Sequence, residues 1–154
     1  MSKPGHRSTT HLEGHTFIRA PRAAVYRLMT DFDHLPAHFP KVAQSIRILS
    51  RDGDRFVAEA RTRAFPGSGI FIVRMEGQLR PPFGFVSTNT SSLGVEHETF
   101  LMDEEPGGTR IHYINDVEIR SPFFRLFGAV LIKRLALWYW EQALIRPLAA
   151  ALER

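Results

Sequence analysis

The sequence predicts an α+β domain in which an antiparallel β-sheet of about seven strands packs against one long C-terminal helix. Three features indicate this architecture. A short helical pattern near the start is ended by Pro36 and Pro40. Strand-like segments separated by Gly, Pro and Asp turns then fill about 80 residues after Lys41. An apolar helical stripe occupies residues 122–153.

Length and composition restrict the class of protein. The chain has 154 residues, which fits one domain; we expect residues 1–7 to form a flexible tail and 8–154 a single domain. The absence of cysteine excludes disulfides and suits a cytoplasmic location, and the sequence shows neither a signal peptide nor a membrane-spanning segment. The net charge is +4, but the basic residues are scattered, so we expect no nucleic-acid binding.

The first elements are a strand and short helices. Residues 8–18 alternate weakly, as a strand does, and Pro21 fits the first position of a helix. One apolar stripe follows at spacings of three and four, formed by Val25, Leu28, Met29 and Phe32. A further helical turn is expected around residues 33–38, so that two short helices close one end of the sheet.

Six more strands are predicted after these helices. They cover Val42–Ser50, Arg55–Phe65, Ile70–Leu79, Phe83–Thr90, Val95–Met102 and Thr109–Ile119. Alternation is clearest in the second and the last of them, as expected for a sheet with one covered face. On the second strand the predicted inward side chains are small: Ala58, Ala60, Thr62 and Ala64.

The long helix is predicted to begin after Ser121, a good N-cap residue. Its main apolar stripe contains Phe124, Phe127, Leu131, Leu135, Trp138 and Ile145. Pro147 is expected to bend or loosen the helix because it supplies no backbone N–H.

The start of the chain carries the pattern I-x-A-P-x-x-x-V-Y-x-L-x-x-D-x-x-x-L-P. Its matching residues are Ile18, Ala20, Pro21, Val25, Tyr26, Leu28, Asp31, Leu35 and Pro36. With the strand-rich middle and the closing helix, this pattern resembles the START/Bet v 1-like (SRPBCC) superfamily, in its polyketide cyclase/dehydrase-like branch. The resemblance implies a helix-grip fold, a curled sheet around the C-terminal helix with a hydrophobic cavity between them. It implies no universal catalytic residue.

Apolar residues on the predicted inner faces supply the walls of that cavity. The candidates are Phe71, Val73 and Met75 on the sheet, and Phe124, Phe127, Leu131, Leu135 and Trp138 on the helix. The alternative is that the helix residues simply fill the space left by the small side chains.

Four polar residues are predicted to face inward, His97 and Thr99 on one strand and Tyr113 and Asn115 on the next. They are candidates for orienting a ligand or transferring a proton. A hydrogen-bonded core network without a ligand is an equally simple interpretation.

Three residues of the first strand could form a metal site, but we favour the interpretation that they lie on a solvated surface. His11, Glu13 and His15 share one strand face, as a two-histidine, one-carboxylate site requires, but that face is predicted to point to solvent. We therefore expect no metal and no cofactor.

Two functions from different classes follow from these observations. The first is binding or transport of a small hydrophobic, lipid- or polyketide-like molecule. The alternative is a polyketide cyclase or dehydratase that uses His97, Tyr113 and Asn115. Peripheral membrane contact through residues 123–127 is a third interpretation, and the chain is expected to be a monomer or a homodimer.

Overall fold

A computed structural model describes residues 9–63, 67–120 and 129–153, with the backbone alone for residues 129–132. Seven strands form one antiparallel sheet in the order β1-β7-β6-β5-β4-β3-β2. Their bounds are β1 Thr9–Ile18, β2 Ser45–Asp52, β3 Arg55–Arg63, β4 Ile70–Arg80, β5 Gly84–Ser91, β6 Gly94–Glu105 and β7 Gly108–Ile119. The predicted number and sequence of strands are confirmed.

Two short helices follow β1, as predicted. Helix α1 spans Arg22–Thr30 and α2 spans Leu35–His38. Pro21 precedes α1 as its N-cap, one position earlier than expected, and its carbonyl accepts backbone bonds from Ala24 and Val25. Pro36 lies in the first turn of α2, where proline is tolerated, and Pro40 disfavours helical backbone at Phe39, so α2 stops after one turn.

Within residues 129–152 the C-terminal helix has three consecutive segments. Helix α3 spans Ala129–Trp140, a π-helical segment spans Glu141–Ile145, and α4 spans Arg146–Leu152. Pro147 cannot donate a bond to the carbonyl four residues earlier, and the loosened segment lies directly before α4. The predicted effect of Pro147 is therefore confirmed. In the described part of the chain, no helix has the length and apolarity needed to cross a bilayer.

The hydrophobic core lies at the end of the sheet where the short helices meet α4. Val25 and Leu148 have no exposed surface, and Ile18, Met102 and Ile111 are equally well buried. Phe85 and Phe100 pack on each other with ring centroids 4.9 Å apart. Aromatic packing thus fills this end of the inner face, and the polar side chains described next lie farther along the same strands.

Candidate functional site

Polar side chains occupy the centre of the inner face on β5, β6 and β7. Asn89 on β5 lies opposite Glu96 on β6, and Glu98 lies opposite Asn115 on β7. Alternation places all four on the same face, and Tyr113 lies two residues before Asn115. We call Asn89, Glu96, Glu98, Tyr113 and Asn115 the carboxyl–amide cluster.

Hydrogen bonds within this cluster leave several acceptors unused. Asn89 Nδ2 donates to Glu98 Oε2 at 2.8 Å, and Asn115 Nδ2 donates to the Tyr113 hydroxyl at 2.9 Å. The Oδ1 atoms of both asparagines are buried and accept no bond from any residue that the structure describes. A buried acceptor without a donor costs about 1–3 kcal/mol, so the cluster is prepared to receive a donor from a ligand or water.

The two carboxyl groups are electrostatically unusual. Burial raises the pKa of Glu98 to about 7, Glu96 beside it raises that pKa as well, and the bond from Asn89 lowers it. Burial also raises the pKa of Glu96, against hydrogen bonds from Asn89 and Asn115. Within the described ranges no basic side chain forms an ion pair with either group. Glu98 therefore exchanges a proton close to neutral pH.

Both glutamates retain some accessible surface although burial dominates their pKa values. Both side chains lie on the inner face of the sheet, at the alternate positions that lead to buried Phe100 and Met102. A carboxyl group that is accessible to a small molecule but largely surrounded by protein is typical of a ligand cavity.

An aromatic wall borders the cluster on the side of β1. The Trp140 indole stacks on the Tyr113 ring, with centroids 5.1 Å apart and an angle of 15°. Gly14, opposite Tyr113 on β1, makes this possible, because a Cβ there would lie 3.1 Å from Trp140 Cζ3. Burial and the neighbouring glutamates raise the pKa of Tyr113 well above its usual value, so its hydroxyl stays neutral.

Several predicted lining residues do face inward. Phe71, Val73 and Met75 alternate with exposed residues along β4 and are partly buried, and Met75 packs on the core. Tyr113 and Asn115 are buried on the inner face of β7. These five remain candidates for ligand contact.

His97 and Thr99 are on the wrong side of the sheet for the role predicted for them. On β6 the inner positions are Glu96, Glu98 and Phe100, while His97 is exposed and lies 3.2 Å from Thr88 Oγ1, measured from its Nδ1. A shift of one residue moves every side chain of a strand to the other face. The cyclase hypothesis in the form that used His97 is therefore wrong.

The sequence alone does not identify Glu96 and Glu98 as inward-facing, because carboxylates are rarely buried. It favours the opposite face of β6, which carries His97 and Thr99, as the inner one. The signal that identifies the inner face is the apolar pair Phe100 and Met102, which share alternation with Glu96 and Glu98 and are 2% and 0% exposed.

The helix residues differ from the predicted stripe. Leu135 and Trp138 are 62% and 58% exposed. Trp138 lines an open cleft of about 550 Å³ between β1 and the helix, which also contacts Gly14, Thr16 and Leu137. No residue of the carboxyl–amide cluster lines this cleft, and the buried hydrogen-bonding groups lie in the cluster, so we place the candidate site at the cluster.

The other helix candidates cannot be located as side chains. Phe124, Phe127 and the predicted membrane patch at residues 123–127 lie outside the described residues, and Leu131 is described by its backbone alone. The buried side of the described helix carries Leu144 and Leu148, four residues apart.

Comparisons with known proteins address the fold. No family model matches the sequence, and no curated protein is significantly similar to it. Among solved structures, the di-domain ARO/CYC BexL from the BE-7585A biosynthetic pathway superposes with a TM-score of 0.79 at 18% identity, over 97% of this chain and 52% of that one. The di-domain ARO/CYC StfQ from the steffimycin biosynthetic pathway gives 0.78 at 14% identity, over 94% and 51%. This chain thus spans about half the length of these two proteins.

A protein of similar length shows the same likeness. A START superfamily protein from Mycobacterium smegmatis superposes with a TM-score of 0.75 at 18% identity, covering 94% of this chain and 97% of that one. At such identities the likeness establishes the architecture and not the activity. The chain therefore has the helix-grip fold of START/Bet v 1-like proteins, which its opening motif and element order predict.

Proposed function

We propose that the protein binds a small hydrophobic molecule, lipid- or polyketide-like, between the inner face of the sheet and the C-terminal helix. The observation that carries this proposal is the carboxyl–amide cluster, which places buried hydrogen-bonding groups at the centre of a mainly apolar face. Apolar walls with a few convergent polar groups are the usual design of a small-molecule site.

Small side chains on β3 support the proposal. Ala58 and Ala60 lie opposite Met75 and Val73 on β4, and all four face inward. An alanine methyl group extends less far from the sheet than the side chains beside it, and Val73 and Met75 are still partly exposed. We infer that the apolar body of a ligand lies against these side chains.

The polar end of the ligand is expected to donate hydrogen bonds. The unpartnered atoms of the cluster are the two asparagine Oδ1 atoms, and these atoms and the neighbouring carboxylate oxygens are acceptors. A hydroxyl, phenol or protonated amine matches them, whereas a carboxylate would repel the glutamates. We therefore expect a neutral or cationic ligand with an apolar body.

A pair of matched aromatic probes tests this proposal. Naphthol can donate a hydrogen bond and methoxynaphthalene cannot, although their apolar surfaces are similar. We expect the protein to bind naphthol at least about tenfold more tightly, since one hydrogen bond to a charged group contributes about 1.5–3 kcal/mol. Glu98→Leu should remove this preference. Equal affinity of the wild-type protein for both probes, or no binding of either, would contradict the proposal.

A second candidate function is acid–base catalysis on a polyketide-like substrate. The observation that favours it is the pKa of about 7 for Glu98, which suits a group that must both take up and release protons at neutral pH. In a dehydration, ionised Glu96 would remove the proton next to a carbonyl, and neutral Glu98, whose pKa is about 7, would protonate the departing hydroxyl to release water. A naphthyl β-hydroxyketone tests this activity; an elimination rate that Glu98→Gln leaves unchanged would exclude it.

A further inference from the structure

Two histidines and a glutamate from different strands converge on the outer face of the sheet. His15 on β1 lies directly opposite His112 on β7, and Glu13 precedes His15 by two residues on the same face. One ligand atom from each of the three residues lies within 4.8 Å of the others. We call Glu13, His15 and His112 the outer triad.

The sequence alone indicates a different trio. His11, Glu13 and His15 have the right spacing on one strand, but His112, 99 positions after Glu13, replaces His11 in the compact group. The pairing of β1 with β7 creates the triad, because residues opposite each other in adjacent strands have neighbouring side chains.

The geometry of the triad is close to that of a metal centre. Glu13 Oε1 lies 2.5 Å from His112 Nε2 and 3.6 Å from His15 Nε2. The two imidazole rings stack with centroids 4.0 Å apart and an angle of 18°. Both Nε2 atoms therefore point toward one carboxylate oxygen. Tetrahedral zinc with bonds of about 2.0–2.1 Å separates its ligand atoms by about 3.3 Å, so small side-chain rotations suffice.

Two further residues hold the carboxylate in place. His11 Nε2 lies 3.4 Å from Glu13 Oε2, the oxygen that the triad does not use, and His11 Nδ1 lies 2.6 Å from Asp116 Oδ1. A ligand that is fixed through its second oxygen loses less freedom when the metal binds. The strands that carry these side chains are paired along the whole of β1, which makes the support rigid.

We propose that the outer triad binds a divalent transition metal, with Zn²⁺ as the preferred ion. Neutral imidazole and carboxylate are ligands that zinc accepts, and two histidines with one carboxylate leave a fourth position for water. Glu13 and His15 are exposed, so the ion can enter directly from solvent. Bound metal would join the edge strand β1 to β7 and so stabilise the fold.

Calorimetric titration of the metal-free, untagged protein with ZnCl₂ tests the site. We expect one ion per chain with a Kd below about 100 µM and a higher Tm in zinc than in EDTA. Glu13→Gln and the double variant H15N/H112N should each weaken binding at least about tenfold. His38→Asn, which changes an exposed histidine on α2, should leave it unchanged.

The substituted side chains of the outer triad are all partly exposed, so we expect the variants to fold. Circular dichroism verifies that they do. Absence of saturable zinc binding would overturn the proposal. Equal zinc affinity in the wild type and in the folded H15N/H112N variant would also overturn it, since the metal would then bind elsewhere. Asp116→Asn should weaken zinc binding less than the triad variants, because Asp116 acts through His11.

Discussion

Glu98 is an acid on the inner face of the sheet, and its burial makes the stability of the protein depend on pH. Its pKa is about 7 in the folded chain, against an unperturbed value of 4.5. Between these values the folded state holds more protons than the unfolded state, so the free energy of unfolding falls as pH rises. Full ionisation therefore destabilises the fold, by about 3 kcal/mol at most.

The substitution Glu98→Gln removes this ionisation while retaining the shape of the side chain. We expect the variant to exceed the wild type in stability by about 1–3 kcal/mol near pH 8 and to differ much less near pH 5. Urea unfolding at the two pH values measures this. Glu76→Gln on the exposed face of β4 is the control and should keep the wild-type pH dependence. A Glu98→Gln variant with that same dependence would show that Glu98 ionises normally.

Single residues differ in how far the sequence predicts them. Tyr113 and Asn115 follow from the alternation of β7, which places Ile111 on the same face. Glu96 and Glu98 do not, because a charged residue is normally evidence for the solvent side. The outer triad is equally inaccessible to sequence reasoning, since it depends on which residue of β7 lies opposite His15.

The contact between β1 and the C-terminal helix positions one wall of the site. Gly14 leaves room for the Trp140 indole, which in turn stacks on Tyr113. Aromatic stacking of this kind contributes about 0.5–1.5 kcal/mol beyond the buried area. The helix can therefore approach β7 closely because β1 has no side chain at this position.

The substitution Gly14→Val should push Trp140 away from Tyr113, because even a Cβ would lie 3.1 Å from the indole. We expect a loss of about 1–3 kcal/mol of stability and a change in near-ultraviolet circular dichroism. Gly69→Val is the matched control, since a Cβ there meets no atom within 4 Å. Unchanged stability and spectrum in Gly14→Val would refute the close contact.

The helix shows where sequence periodicity fails. Pro147 predicts a loosened segment, and the π-helical turn at Glu141–Ile145 confirms it. One additional residue in a helical turn rotates later side chains by about 100°. A single apolar stripe drawn through the whole helix therefore cannot be right on both sides of the π segment. Exposed Leu135 and buried Ile145 belong to the same predicted stripe.

The molecule as a whole follows its local signals closely. Regular turns, alternation and the two prolines predict the strand number and the short helices, because these are properties of nearby residues. Which residues meet at the site depends on the register between neighbouring strands, and that register is a property of the entire sheet. The sequence therefore predicts the architecture well and the site in part.

Filling the proposed ligand volume should weaken binding without changing the fold. Ala60→Leu adds bulk on the inner face of β3, where Ala60 is 6% exposed. We expect at least about tenfold weaker binding of naphthol, with overpacking costing about 1–3 kcal/mol of stability. Ala23→Leu, on the exposed side of α1, should bind normally. Undiminished naphthol binding by folded Ala60→Leu would place the ligand elsewhere.

The central claim is that ligands bind over the carboxyl–amide cluster. The most direct test is nuclear magnetic resonance of the labelled protein during titration with naphthol. We predict the largest shifts for the side-chain amides of Asn89 and Asn115 and the methyl groups of Ala58 and Ala60. Shifts confined to Thr16, Leu137 and Trp138, in the cleft beside β1, would contradict the claim.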